Sequence, residues 1–345
     1  MLTDYGSRDK KFTDIIREVR EKVLHLGGVS KEEGYETILM QGSGTFGIES
    51  VISSVIPENG HILVIINGAY GERIAKISER HKIETTRLEF PENEHPSLEV
   101  IRRTLDQKTS ITHVALIHSE TTSGIINPVK EIGIIVNSAG KTFIVDAMSS
   151  FGAVPVNIKE CKINYLISSA NKCIEGVPGF SLVIGEKENL LISKGNARTL
   201  SLDLYAQWKG LEDNKQFRFT PPTHTIIAFH QALQELEQEG GIQARCSRYK
   251  QNQESLMNGM KLLGFREYLS PDKQGYIITS FLYPENNNFN FSTFYNKLNE
   301  RGFVIYPGKV SKTDCFRIGS IGQIYPEDIN KFLQSVEEVK KEMGF

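Results

Sequence analysis

The feature that most constrains this chain is an alternation of two periodicities. Short apolar runs stand at 35–40 (YETILM), 61–66 (HILVII), 113–117 (HVALI), 142–146 (TFIVD), 163–168 (INYLIS) and 180–184 (FSLVI). Between several of them lie longer stretches with helical spacing, at 47–56, 71–82 and 127–139. A continuous apolar run suits a strand covered on both faces, and an intervening amphipathic helix supplies the crossover that parallel strands require. The pattern therefore predicts an α/β layer with a mainly parallel sheet. Ahead of it, Phe12, Ile15, Ile16, Val19, Val23 and Leu26 share one helical face that stops at Gly27-Gly28.

The pattern changes past residue 224. A helix is expected over 224–239, with Ile226, Phe229, Leu233 and Leu236 on one face, ending at Gly240-Gly241; a second follows over 242–263. Beyond lie a strand at 276–282, a helix at 291–301, strands at 303–306 and 315–318, and a helix from Pro326, which suits a first turn. The expected organisation is an N-terminal helical segment (1–26), a large α/β domain (27–241) and a small C-terminal α+β domain (242–345).

Charge and cysteine usage exclude several classes. With 40 Lys+Arg against 42 Asp+Glu in 345 residues, the net charge of -2 gives no basic face for nucleic acid. No apolar run reaches the ~18–20 residues that span a bilayer, and MLTDYGSRDKKF lacks the apolar stretch of a secretory signal. Cys161, Cys173, Cys246 and Cys315 are far apart, which points to reduced thiols and a cytoplasmic protein. The eight histidines show no metal-ligand spacing, and no G-x-S-x-G elbow occurs.

Ligands of open α/β sheets bind beyond the carboxyl ends of the strands, so residues there carry the interest. Gly42-Ser43-Gly44-Thr45-Phe46-Gly47 follows an expected strand and opens an expected helix. Such a segment is a phosphate cradle or a plain tight turn. Its match to G-x-G-x-x-G also allows dinucleotide binding, but that needs an acidic residue after the next strand, where Asn67-Gly68-Ala69-Tyr70 stands instead. Asp146 ends the run TFIVD, and alone would be read as a turn or cap residue. Lys172 follows INYLISS, and alone would be read as solvated surface. Together, a phosphate turn, an aromatic after the next strand, an Asp at a later strand end and a Lys after the following strand suit pyridoxal phosphate. The Lys amine bonds to the aldehyde, the Asp keeps the pyridine nitrogen protonated, and the aromatic covers the ring. Arg317, on the strand CFRIG, can capture a carboxylate or phosphonate with its planar fork, or be a surface arginine. Cys173, beside Lys172, reads as an incidental thiol.

Longer strings carry a resemblance. QGSGTFGIES (41–50), NGAYGER (67–73), HSETTSG (118–124), VDAMSSFG (145–152), SSANKCIEGVPGF (168–180), LSLDLYAQW (200–208), FTPPTHT (219–225) and YPGKVSKTDCFRIG (306–319) resemble the 2-aminoethylphosphonate–pyruvate aminotransferase family, within the class V, fold-type I aminotransferases. The resemblance implies a fold-type I transferase that uses pyridoxal 5′-phosphate to convert 2-aminoethylphosphonate and pyruvate into phosphonoacetaldehyde and L-alanine. It implies that Lys172 is the Schiff-base lysine and general base, that Asp146 pairs with the pyridine nitrogen and that Tyr70 stacks on the ring. Thr121 would reach the 3′-oxygen, and Ser43, Gly44 and Thr45 would hold the phosphate with Ser169 or Asn171. Thr220 would do so from the neighbouring subunit of a homodimer, and Arg317 would bind the substrate anion. Family members begin with a Pro-Gly-Pro-containing segment over the active site, and this chain is expected to start after it, at Met1-Leu2, with weaker substrate contacts as the consequence. Three alternatives stand beside this: a sister transaminase using alanine or serine with glyoxylate, a cofactor-binding dimer of reduced activity, and, more distantly, a nicotinamide oxidoreductase.

Overall fold

The structure is a computed structural model and describes residues 4–310 and 313–345. The bare start at Met1-Leu2 and positions 311–312 of the string 306–319 lie outside the described residues. The first part of the chain runs α1 (Lys10–Leu26), β1 (Tyr35–Gln41), α2 (Gly44–Val55), β2 (His61–Ile66), α3 (Ala69–Arg80), β3 (Glu84–Glu89), α4 (Leu98–Gln107), β4 (His113–Ile117) and a short hairpin of β5 (Ser119–Glu120) and β6 (Ile125–Ile126). It continues through α5 (Val129–Ser138), β7 (Thr142–Asp146), β8 (Tyr165–Ser169), β9 (Phe180–Glu186), α6 (Lys187–Ile192), α7 (Leu204–Asp213) and α8 (Thr223–Glu239). Next come α9 (Gly241–Leu262), β10 (Ile278–Leu282), α10 (Phe291–Glu300), β11 (Tyr306–Pro307), β12 (Cys315–Gly319) and α11 (Pro326–Met343).

Seven strands form one sheet in the order β1-β9-β8-β7-β4-β2-β3. The neighbours from β3 to β8 pair in parallel, while β9 is antiparallel to both β8 and β1. Two antiparallel steps restore direction, so β1 points the same way as β8. The carboxyl ends of β1, β2, β4, β7 and β8 therefore share one edge of the sheet, the edge on which ligands of such folds sit.

The central strands are uniformly buried, as their apolar runs require. One large core contains Phe12, Ile16, Val19 and Val23 of α1 together with the sheet and Phe229 and Leu233 of α8. A second core, led by Phe265, Phe281, Phe294, Phe316 and Phe332, sits under the three-stranded sheet β10-β12-β11. A small third cluster of Ala153, Val154, Cys173, Tyr249 and Ile277 lies apart from both.

Several expected elements shift. The edge strand β3, ETTRLE, is half exposed and carries no apolar run, so periodicity misses it. Helix α3 begins at Ala69 rather than 71, because the buried Glu120 carboxylate accepts the Tyr70 and Gly71 N–H groups (3.2 Å each) and the Thr122 hydroxyl accepts that of Ala69 (2.8 Å). The strand expected over 303–306 is reduced to Tyr306–Pro307; ahead of it Ile305 is buried and Phe303 packs against Phe332 with ring centroids 5.4 Å apart, while Val304 is exposed.

Because α1 is built into the large core, Phe12→Ala should cost about 3–5 kcal/mol in denaturant unfolding, whereas Leu262→Ala, at an 89% exposed position, should stay within about 0.5 kcal/mol.

Candidate active site

The turn after β1 is built to close tolerances. Gly42 has φ +98°, in the region that favours glycine, and a Cβ there would lie 2.6 Å from the Phe46 ring. A Cβ on Gly44 would run into Met148 beyond β7, and one on Gly47 would lie 2.6 Å from Ser181 Oγ of β9. Ser43 is the N-cap of α2, yet its side chain makes no cap hydrogen bond, and the first turn holds no acidic residue. The N-terminus of α2 thus presents backbone N–H groups and partial positive charge at the sheet edge.

After β2, Gly68 leaves no room for a side chain because Glu120 fills that space. Glu120 is fully buried; besides the α3 N–H groups it accepts the Thr122 N–H at 3.0 Å and the Thr122 hydroxyl at 2.5 Å. Burial still holds its carboxyl above the usual range, outweighing those bonds. The clamp fixes Tyr70 on the first turn of α3. The Arg73 guanidinium lies 4.8 Å from the Tyr70 ring centroid, and Lys309 Nζ lies 4.8 Å from the centroid and donates to the hydroxyl at 3.3 Å. Burial would raise the Tyr70 phenol, but hydrogen bonds from Thr121 and Lys309 and the charges of Lys309 and Lys172 bring it below its ordinary value.

Asp146 closes β7 with its side chain buried, and its Oδ1 accepts the Met148 N–H at 2.9 Å. Burial, reinforced by the neighbouring Glu120 charge, pushes its pKa up to about 7, against the Met148 bond and the positive field of Arg73. Arg73 also donates to Thr45 Oγ1 at 3.3 Å, linking the segments that follow β1 and β2. Ser169 ends β8, buried. The chain then turns tightly: Gly176 N–H donates to Ala170 O and Glu175 N–H to Lys172 O, both at 2.9 Å. Asn171 and Lys172 sit exposed on this turn, and among the described residues the Lys172 ammonium has no hydrogen-bond or ion-pair partner. Cys173 is buried, its thiol donates to Ser149 O at 3.3 Å and burial pushes its pKa up to about 12, so it stays a thiol.

Arg317 comes from the other sheet. It is 5% exposed, donates from Nε to Pro307 O (3.0 Å) and from Nη1 to Thr121 O (2.7 Å), and among the described residues has no carboxylate within ion-pair distance. A buried guanidinium left uncompensated is costly unless an anion joins it. Its hold on Thr121 brings the small sheet against the site.

The structure thus gathers Ser43, Gly44, Thr45, Tyr70, Thr121, Asp146, Ser169, Asn171 and Lys172 along one edge, with Arg317 reaching in. Thr220 is exposed, and its carbonyl accepts from the Gln41 side chain of the same chain, next to the Gly42 turn. Sequence reasoning missed Glu120, Arg73 and Lys309, although all three lie inside the strings quoted above. An acidic residue three positions beyond the apolar run of β4 and an Arg one helical turn after Tyr70 were the available signals. Among the described residues no cluster of three potential metal ligands occurs, and no helix is long and apolar enough to cross a membrane.

This sheet order and site edge define the fold of the fold-type I aminotransferases. The pyridoxamine–pyruvate aminotransferase of Mesorhizobium loti superposes with a TM-score of 0.90 at 23% identity, covering 100% of this chain and 88% of that one. The alanine–glyoxylate aminotransferase of a Nostoc species gives 0.90 at 21% identity, covering 98% and 89%. The chain belongs to the aminotransferase class-V family, whose sequence profile matches residues 4–315. It is 50% identical over 337 residues to the 2-aminoethylphosphonate–pyruvate transaminase of Bacillus cereus (strain AH820), covering 97% of this chain and 92% of the relative; the Bacillus anthracis protein of the same name matches equally.

Asp146 gives a pH signature. Its raised pKa makes the folded chain bind more protons than the unfolded one between about pH 4 and 7, so this group costs stability as pH rises through that window. In the cofactor-free protein, Asp146→Asn should therefore gain about 2–3 kcal/mol relative to wild type between about pH 5 and 8, read from denaturant midpoints.

Proposed function

We propose that the protein transfers the amino group of 2-aminoethylphosphonate to pyruvate, giving phosphonoacetaldehyde and L-alanine, with pyridoxal 5′-phosphate as cofactor. Half-identity to relatives that carry this name supports the reading. The observation that carries it is Arg317, a buried cation without a carboxylate partner among the described residues, tied to Thr121 at the mouth of the site.

The residues fit the cofactor. The uncapped N-terminus of α2 at Ser43, Gly44 and Thr45 suits a phosphate, with Ser169 or Asn171 beside it. Asp146 offers a buried carboxylate for a protonated ring nitrogen, whose positive charge would bring its pKa back down. Tyr70 would cover the ring, and Thr121 would face its hydroxyl oxygen. Thr220 would reach the phosphate from a second copy, since we take the working unit to be a homodimer. Bound pyridoxal phosphate supplies an aldehyde to accept the amine and a protonated ring to accommodate the electron pair released at the substrate carbon.

The chain's own groups do the rest. Lys172 Nζ, without a hydrogen-bond or ion-pair partner among the described residues, would hold the cofactor and then take the proton from the amine-bearing carbon of 2-aminoethylphosphonate. In the second half-reaction it returns a proton to the carbon that becomes the α-carbon of alanine. Arg317 orients both anions in turn, the phosphonate first and the pyruvate carboxylate second. Its fork suits either, and it stays charged at any working pH.

Purified protein with cofactor, 2-aminoethylphosphonate and pyruvate should form alanine and phosphonoacetaldehyde in equal amounts; faster turnover of serine or alanine with glyoxylate would overturn the substrate assignment. Lys172→Ala should abolish turnover. Arg317→Ala should raise KM for both substrates about 30- to 100-fold, the loss expected for a charge-assisted bidentate contact.

A further inference from the structure

Behind the Lys172 turn lies a buried assembly of four charges that the transfer chemistry leaves unused. Glu175 follows Lys172 by three residues and holds φ +63°, a left-handed conformation that an ordinary L-residue adopts only when its surroundings require it. Its side chain is 7% exposed. Glu175 Oε1 accepts from the Tyr249 hydroxyl at 2.6 Å and from Arg248 Nη2 at 2.9 Å, while Oε2 stands 3.7 Å from Arg245 Nη2. Arg245 donates from Nη1 to Cys173 O at 2.9 Å, so both ends of the 173–175 segment are held from α9. Glu239, at the end of α8, balances the second positive charge by accepting from Arg245 (2.6 Å) and Arg248 (2.7 Å).

The same α9 residues grip the small sheet. Arg248 Nη1 donates to Gly322 O at 2.5 Å, and Gly322 N–H donates to the Tyr249 hydroxyl at 3.0 Å. Asn252 Nδ2 donates to Ile324 O at 2.6 Å. Gly322 lies just beyond β12, the strand that carries Arg317. One hydrogen-bonded path therefore runs from the Lys172 turn through Glu175, Arg248 and Tyr249 to the segment leaving β12. The apolar contacts of Cys173 and Tyr249 in the third cluster accompany it. Buried ion pairs contribute little net stability against apolar packing of the same volume, so their use here favours one arrangement over others.

We propose that Glu175 is a positioning residue: through Arg248 and Tyr249 it ties the turn bearing Lys172 to the strand bearing Arg317, so that the aim of the lysine and the seating of the anion clamp are set together. The proposal rests on the assignment of Lys172 and Arg317 made above. Its core is the tether itself, which exists without cofactor or substrate. Glu175→Gln keeps the shape and one acceptor but removes one of the two carboxylate charges that hold Arg248, leaving that of Glu239.

The test uses full-length protein carrying Glu175→Gln, with Tyr249→Phe as the second variant should the first fail to fold. In cofactor-free protein, hydrogen exchange of the amides over 171–178 should accelerate about tenfold while the β4 and β7 amides stay unchanged. The rate at which added pyridoxal phosphate bonds to Lys172, followed by visible absorbance, should fall about tenfold. With substrates, kcat should fall about tenfold or more and both KM values should rise about threefold or more, because Arg317 loses the seating that the tether gives it. Unchanged exchange over 171–178, or acceleration spread evenly through the chain, would overturn the tether. A KM rise without a kcat loss would overturn its effect on Lys172. Failure of the substrate assignment would instead show as absent turnover in wild type, leaving the first two measurements intact.

Discussion

The site depends first on one buried acid. Glu120 sits in the space a Gly68 side chain would need and draws the N–H groups of Tyr70, Gly71 and Thr122 around its two oxygens. A carboxylate so placed satisfies donors that the start of α3 would otherwise leave orphaned, and it complements the helix dipole. It also fixes the angle at which Tyr70 leaves the helix and, one residue away in sequence, the carbonyl of Thr121 that Arg317 grasps. Its charge is one reason Asp146 holds its proton more tightly. Much of the geometry at the sheet edge therefore traces to a residue that touches neither of the reacting groups.

The sheet edge collects its residues by topology. The chain visits the strands in an order unlike their spatial order, yet every visit except that of β9 ends on the same edge, because the two antiparallel steps at β9 cancel. Tolerances there are fine: α2 approaches β9 so closely that only glycine fits at position 47, and Gly44 meets Met148. The second sheet, with its own aromatic core around Phe316, contributes one long side chain. Two independently packed cores thus meet across Arg317, Thr121 and the α9 ion network.

The buried strands were legible in the sequence because double-sided burial demands continuous apolar runs, and all six expected runs coincide with strands within a residue or two. The candidate residues were legible for a related reason: Gly42 to Thr45, Tyr70, Asp146 and Lys172 each stand just where an apolar run stops. What stayed hidden was exposed or set from a distance. The polar edge strand β3 has no periodicity to read, and the true start of α3 depends on Glu120, some fifty residues away. Glu120 itself looks like any acidic residue in a loop until the fold buries it. The pairing of Arg317 with Thr121 spans 196 positions and has no local signature.

The four cysteines acquire a use from their placement. All are free and buried, in three neighbourhoods: Cys161 in the large core, Cys173 behind the lysine turn and Cys246 on α9 sharing Tyr276 between them, and Cys315 on the strand that carries Arg317. A thiol reagent meets each one only when its own surroundings open. Mass spectrometry of the labelled peptides would then time three separate openings in the unmodified protein, making the native thiols a built-in clock for how its parts come apart.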